Sequence, residues 1–339
     1  MAARTVSVKD VAQRAGVALG TVSNVLNRPE AVSESTRARV LAAIDELGYV
    51  RNESARQLRA GRSTTIGFVA LDLSNPFFTD VARGAEAVIR EAGSVLLLAN
   101  SDGGALEARY LDVFEEQRFQ GVLLSPSGDV AAQLTRLRQR GIPVVLVDAQ
   151  APSAEISSVG ADDVAGGRLA ASHLLAAGRE RLAFVGGPGT LHQIRDRITG
   201  AREALAEAGR DPSSLEVLGT DAPTVVAGRE VGYRIAAMEP ARRPDAIFAA
   251  NDLLALGLLQ AILLEERLRV PDDVAIVGYD DIGWAGSAVV PLTSVRQPAE
   301  LIGRRGAELL LREAGRDPRY APEHVLFTPE LVARASSAP

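Results

Sequence analysis

Cysteine is absent from the 339 residues, which removes disulfides, thiolate metal sites and thiol nucleophiles together and suits a reducing compartment. Histidine is scarce: His173, His192 and His324 lie far apart, and none falls in the short two-histidine spacing of a helical zinc site. Neither a metal nor another cofactor is therefore expected. Lysine is nearly missing as well, and Lys9, the only one, reads as codon bias. The segment Met1-Ala2-Ala3-Arg4-Thr5-Val6 lacks the apolar run of a secretory signal, so the expected location is cytoplasmic. Long hydrophobic runs are missing too. The greasiest stretch, Leu253 to Leu264, is broken by Gln260 and falls far short of the roughly 20 apolar residues of a membrane span. It reads as a buried helix, with no membrane partner. The residues after Arg334 carry no heptad pattern, which predicts the absence of a helical tetramerisation segment.

What is present begins with bulk and charge. A chain of this length with 47% hydrophobic residues predicts two or three compact units. The net charge of −6 hides an asymmetry: residues 1–62 carry ten Lys or Arg against six acids, +4, leaving −10 for the remainder. A basic head on an acidic body fits a phosphate-binding module joined to a domain that does not touch nucleic acid. A merely solvated basic face fits the same numbers.

Ser7 can cap a helix whose apolar positions Val8, Val11, Ala12 and Ala15 recur at helical spacing, with Gly16 ending it. After the turn Gly16-Val17-Ala18, a second helix from Leu19 to Leu26 places Val22, Val25 and Leu26 on one face and leaves Leu19, Gly20, Thr21, Ser23 and Asn24 outward. A third begins at Ser33, whose hydroxyl can cap it, and runs through Val40, Ile44 and Leu47 to Gly48. Two helices across a tight glycine turn fit a helix-turn-helix whose second helix enters the major groove, or a structural hairpin. Residues 49–62 offer one more short helix, with Asn52 as cap and Gly61 as stop. Its eight or so residues are too few to hold a helix in water, where about 12–15 are marginal, so it should fold only against a partner.

From Thr65 the pattern becomes α/β. Apolar runs at Thr65–Leu71, Val95–Ala99, Gly121–Leu124, Val144–Val147, Leu182–Val185, Glu216–Leu218, Ala246–Ala249 and Val274–Val277 alternate with helical segments, which predicts parallel sheets covered on both faces. Gly160-Ala161-Asp162-Asp163 and Val290-Pro291-Leu292 read as crossings between two lobes. Ligands of such sheets lie beyond the carboxyl ends of strands, which selects Asp72, Asn75 and Phe77 after strand one, then Asp148, Asn251 and Asp280, with Arg197 on the helix beyond Gly186-Gly187. An arginine facing carboxylates across a cleft can grip vicinal hydroxyls or a carboxylate. Arg197 and Asp280 pairing with each other is the alternative. The turn Gly186-Gly187-Pro188-Gly189 lacks the Gly-Lys-Ser/Thr ending of a phosphate loop and the third glycine of a dinucleotide fingerprint, so no enzyme is indicated.

Collinear motifs run through nearly the whole chain: Val8-Lys9-Asp10-Val11-Ala12, Thr21-Val22-Ser23, Leu47-Gly48-Tyr49, Ala55-Arg56-Gln57-Leu58, Ser74-Asn75-Pro76-Phe77-Phe78, Arg197-Ile198-Thr199-Gly200, Ala250-Asn251-Asp252, Val277-Gly278-Tyr279-Asp280-Asp281 and Pro291-Leu292-Thr293-Ser294-Val295-Arg296-Gln297-Pro298. By these the chain resembles the LacI/GalR (lactose/galactose repressor) family. The resemblance implies a helix-turn-helix domain over 1–50, a hinge helix over 51–62, and a core over 63–339 similar to periplasmic sugar-binding proteins. In that core an N-lobe of about 63–160 and 293–320 and a C-lobe of about 161–292 and 321–339 are expected. It also implies a homodimer on a palindromic double-stranded DNA operator, controlled by a small sugar-like effector. Leu19, Gly20 and Asn24 then occupy the base-reading positions, with Thr21, Ser23, Asn27 and Arg37 placed for phosphates. Asn52, Ala55 and Leu58 belong to the hinge, and Leu58 looks like the wedge pushed into a central base step. Arg197, Asn251 and Asp280 look like ligand contacts and Asp252 a structural residue. Three departures stand out: Gly20 cannot touch a base edge, Ala18 replaces a capping serine, and Ala222-Pro223 stand where many relatives stack an aromatic on a ring.

Overall fold

The structure, a computed structural model, describes residues 6–49, 63–264 and 268–337. The chain divides into a unit Met1–Ser63 and a unit Thr64–Pro339.

In the first unit, α1 (Val8–Ala15), α2 (Leu19–Asn27) and α3 (Glu34–Leu47) close around Val11, Ala12, Ala15, Val22, Val25, Val40 and Ala43. A reciprocal cap starts α1: the Ser7 amide donates to Asp10 Oδ2 at 2.8 Å, and the Asp10 amide donates to Ser7 Oγ at 3.4 Å. Gly16, at φ +62°, ends it in the left-handed region that glycine enters without strain. Ala18 opens α2 with no side-chain cap. Ser33 occupies the expected position before α3, but its hydroxyl donates to Thr36 Oγ1 at 3.0 Å and caps no backbone amide.

The second unit runs β1 (Thr65–Ala70), α4 (Pro76–Glu91), β2 (Val95–Asn100), α5 (Glu107–Glu116), β3 (Gly121–Leu124), α6 (Ala131–Gln139), β4 (Val144–Val147), β5 (Ser158–Ala161), α7 (Asp163–Ala176), β6 (Leu182–Val185), α8 (His192–Glu207), β7 (Glu216–Leu218), α9 (Val225–Ala236), β8 (Ala246–Ala249), α10 (Asp252–Leu264), β9 (Ala275–Asp280), β10 (Thr293–Arg296), α11 (Ala299–Ala314), β11 (His324–Phe327) and β12 (Glu330–Val332). Two six-stranded sheets result, ordered β11-β5-β4-β3-β1-β2 and β12-β10-β9-β8-β6-β7. All pairs are parallel except β10 with β12. The central strands are buried throughout, as unbroken apolar runs demand.

The lobes exchange chain differently from the boundaries expected from sequence. Thr293–Arg296 pairs in parallel with β9 and belongs to the second sheet, not the N-lobe, while His324–Phe327 pairs with Ser158–Ala161 and belongs to the first sheet, not the C-lobe. The physical reason lies in short, polar-looking strands. Thr293 and Ser294 are fully buried, with the Ser294 hydroxyl donating to Asp252 Oδ1 at 2.6 Å, so hydroxyls satisfied inside the fold masked a core strand. Gly160 and Ala161, read as the start of a crossing, likewise end the buried strand Ser158–Ala161. β9 also extends to Asp280 because β10 pairs with it from Val277 to Asp280.

The helices flanking the sheets pack at glycine contacts. On α7 and α8, a Cβ at Gly167 would fall 2.1 Å from the Arg197 carbonyl oxygen, and one at Gly200 would fall 1.9 Å from that of Val164. Gly200, one turn after Arg197, thus lets α8 press onto the start of α7, where Asp163 lies.

Candidate functional site

On the first unit, α2 presents a polar, shallow face. Leu19 is 40% exposed, Asn24 is exposed, and a Cβ at Gly20 would meet nothing within 4 Å. Thr21 and Ser23 are half-buried, while the Asn27 amide turns back to donate to the Ser23 carbonyl at 2.8 Å and to its hydroxyl at 3.2 Å. Arg37, in the first turn of α3, lies 3.9 Å from Glu34. A helix whose exposed face offers an apolar methyl group, a gap and one amide can lie close to a groove floor and read few hydrogen-bonding positions.

In the second unit, the carboxyl ends of the strands meet in a buried polar network. The Asn75 side chain caps α4 by accepting the Phe77 amide at 3.1 Å, and its Nδ2 donates to Asp280 Oδ2 at 2.9 Å. Gln297, just past β10, donates to Asp280 Oδ1 at 2.8 Å. Gln193, in the first turn of α8, donates to both the carbonyl and Oδ2 of Asp148 at 2.9 Å. Asn75 and Asp148 stand at the ends of first-sheet strands, and Asp280 and Gln193 belong to elements of the second, so these bonds tie the lobes together. Asp148 and Asp280 hold positive φ, +55° and +98°, where non-glycine residues are uncommon, and this backbone turns both carboxyls into the seam.

Arg197 is fixed at the centre. Its Nε donates to Asp163 Oδ1 at 2.8 Å, one terminal nitrogen donates to the Ala250 carbonyl at 2.6 Å, and Cζ lies 3.6 Å from the Tyr279 ring centroid. Both partners of the Arg197–Asp163 pair are buried, so removing either would leave an uncompensated charge. Burial pulls the guanidinium pKa down, but Asp163, Tyr279, Asp280 and Asp148 outweigh it and raise it. Burial, then repulsion from Asp163, pushes Asp148 up to about 8 against the pull of Arg197 and Gln193. Burial lifts Asp280 to about 6, opposed by Arg197, Asn75 and Gln297. An open groove of about 390 Å³ bordered by Phe77, Asp80, Asp280, Gln297 and Leu301 adjoins the Asp280–Gln297 end of this network.

The lacI family of bacterial regulatory proteins matches residues 7–52, and a periplasmic binding protein-like domain matches residues 171–337. The HTH-type transcriptional repressor PurR of Photobacterium profundum is 33% identical, over 97% of this chain and 98% of that protein. The chain belongs to the LacI family. Among solved structures, a transcriptional regulator CelR–cellobiose complex is 33% identical with a TM-score of 0.72, covering 98% of this chain and 99% of that one. A lac repressor dimer bound to operator and the anti-inducer ONPF is 25% identical with a TM-score of 0.82, covering 99% and 100%. As a LacI-family member, the chain is a DNA-binding transcriptional regulator with a helix-turn-helix and a core of two mostly parallel sheets.

Within this LacI-family core, the structure brings Asn75, Asp148, Arg197 and Asp280 into one network. Arg197 pairs with Asp163, not with Asp280 as its alternative partner. Asn251 is buried beside that network, its amide donating to the Pro223 carbonyl at 3.0 Å and its Oδ1 accepting the Leu254 amide at 2.9 Å. Asp72 stands apart: its carboxylate accepts the Ser74 amide at 2.9 Å and the Ser74 hydroxyl at 2.7 Å, which closes a local turn. Phe77 is buried edge-on to Phe78, with ring centroids 5.1 Å apart. Asp252 is structural, accepting Ser294 Oγ at 2.6 Å and the Ile282 amide at 2.8 Å. Asn52, Ala55 and Leu58, with the whole segment 51–62 expected as a hinge, lie outside the described residues. Sequence reasoning missed Asp163, Gln193 and Gln297 as site residues. Recognising Ser158–Ala161 as a strand would have exposed Asp163 by the strand-end rule, whereas neither glutamine carries a local signal.

Proposed function

We propose that this regulator is a repressor that binds a palindromic operator as a homodimer, and that a small, polar, sugar-like effector in the interlobe network sets its operator affinity. The α2 face carries base reading through Leu19 and Asn24, with Thr21, Ser23, Asn27 and Arg37 on phosphates. Residues 51–62, with Asn52, Ala55 and Leu58, act as the hinge in the minor groove. The lac repressor dimer on its operator and the CelR–cellobiose complex support this division of labour. The reading is of a regulator without catalysis, acting in the cytoplasm where its DNA target lies.

One observation carries the reading: the bonds from Asn75 to Asp280 and from Gln193 to Asp148 join the lobes through the residues a polar ligand would engage. A ligand entering the seam must replace or reinforce those bonds, so its binding energy feeds directly into lobe closure. The coupling is reciprocal: an inducer binds more weakly to the operator complex and a corepressor more tightly.

Deletion of residues 1–62 tests the division. DNA affinity should vanish, while thermal shifts produced by hits from a screen of sugars, nucleosides and phosphorylated metabolites should persist. Intact protein with no salt-sensitive preference for any palindrome over random DNA, with or without such hits, would overturn it.

A further inference from the structure

In the interlobe network the buried acceptors without a partner outnumber such donors, of which the Tyr279 hydroxyl beside Arg197 is one. Asp148 Oδ1, Gln193 Oε1 and Gln297 Oε1 are buried acceptors with no partner among the described residues. Neither glutamine amide can be reversed to help, because Gln193 Nε2 already serves two acceptors on Asp148 and Gln297 Nε2 serves Asp280. Each unpartnered acceptor costs free energy until a donor arrives. Ionised Asp148 would also find positive charge in short supply. Asp148, Asp163 and Asp280 are buried around the single guanidinium of Arg197, which Asp163 and the Ala250 carbonyl already engage. His192, beside Asp163 and Arg197, adds no compensating cation, since burial lowers its pKa.

We propose that the cleft selects a hydroxyl-rich ligand bearing a protonated amine, an amino sugar or aminopolyol with its ammonium on Asp148, and rejects phosphate- and carboxylate-bearing molecules. This rests on the cleft's being the effector site. A neutral polyol supplies donors but no positive charge to draw Asp148 into its carboxylate form. An anion brings further acceptors and further negative charge to a site whose cation, Arg197, is already engaged by Asp163 and the Ala250 carbonyl. An ammonium supplies three donors and one positive charge to the carboxylate whose second oxygen is unpartnered. Before binding, burial and the repulsion of Asp163 and Asp280 outweigh the pull of Arg197 and Gln193 and keep Asp148 largely protonated at pH 7, with a pKa of about 8. Arrival of the ammonium favours the carboxylate, so the proton leaves to solvent.

Titration calorimetry on the full chain at pH 7, in two buffers of different ionisation enthalpy, tests this with matched triads. Each triad comprises a neutral, an amino and a phosphorylated form, built on glucose, on ribose and on sorbitol. In at least one triad the amine should bind about tenfold or more tightly than its neutral parent, with release of up to about one proton, and no phosphate should bind comparably. In Asp148→Asn, the amine-to-neutral ratio should fall to near one; a retained ratio overturns the assignment to Asp148. Should that variant misfold, proton release by the unaltered protein still decides. A neutral or phosphorylated member binding as well as the amine overturns the proposal while leaving the effector cleft intact. No binding by any member at about 10 mM overturns both.

Discussion

Around Val11, Val22 and Val40 the buried apolar side chains of the first unit are valine and alanine, with Leu26, Ile44, Leu47 and Tyr49 only partly buried against them, whereas from Thr64 onward leucine, isoleucine and phenylalanine fill both faces of two sheets. Each buried methylene contributes about 0.8 kcal/mol, so a core of small side chains leaves a three-helix unit little reserve. The larger unit has surplus apolar burial and uses it to hold groups that oppose folding. Asp148, Asp163, Arg197, Asp252 and Asp280 are all buried there, and Asp252 is fully enclosed. The contrast separates two design problems. A DNA-reading unit needs a shape that forms and little more, while a ligand-sensing unit needs buried polarity, which only a large core can carry.

The sharpest test removes a buried carboxyl that the second unit depends on. Asp252 accepts the Ser294 hydroxyl and the Ile282 amide, and its Oδ1 lies where a Cβ on Gly278 would fall, 2.1 Å away. Asp252→Ala strands both donors and opens a void beneath β9. The expected loss is about 3 kcal/mol, or roughly 8 °C in the melting temperature of the second unit, with the first unit unmoved. Scanning calorimetry with unit-resolved hydrogen exchange measures it. A loss under about 1 kcal/mol would mean that the surplus is not what holds these polar groups.

The same division governs what could be read from the chain. The first unit was legible nearly to the residue, since its caps, turns and apolar spacing are local: Ser7, Gly16 and Gly48 do in space what they announce in sequence. The central strands of the second unit were legible for a similar reason, each being a self-contained apolar run. What escaped were features settled by distant partners. Thr293 and Ser294 look polar until Asp252, Arg334 and Ser336 satisfy them. Asp72 and Asp148 both follow strands, yet one closes a turn with Ser74 and the other meets Gln193, 45 residues onward. No spacing rule distinguishes them, because the choice is made by which helix packs opposite.

A smaller deletion probes the other side of the contrast. Val40 is fully buried between the three helices, and Val40→Ala removes two methyl groups from a core of seven buried residues. About 2 kcal/mol is expected, a minor loss for the larger unit but a large share of the total for a unit of this size. The first unit should melt early, its amides should exchange faster, and DNA affinity at 37 °C should fall several-fold, while ligand-dependent shifts of the second unit stay constant. Equal shifts in both transitions would contradict their independence.

The smallest expected effect runs in the stabilising direction. Ala18 precedes α2 in the extended conformation of an N-cap, φ −68° and ψ +152°, without a side chain able to accept an amide. The Thr21 and Val22 amides reach only the Ala18 carbonyl, at 2.9 and 3.3 Å. Ala18→Ser offers a hydroxyl acceptor to the first turn at a position whose backbone already suits it. A gain of about 1 kcal/mol is expected. For a unit so thinly packed this raises the melting temperature by roughly 5 °C, whereas the second unit should not respond. Hydrogen exchange localises the gain to the first-turn amides of α2. Slower exchange there without a higher melting temperature would mean that α2 frays independently and that the valine and alanine core, not the cap, limits the unit.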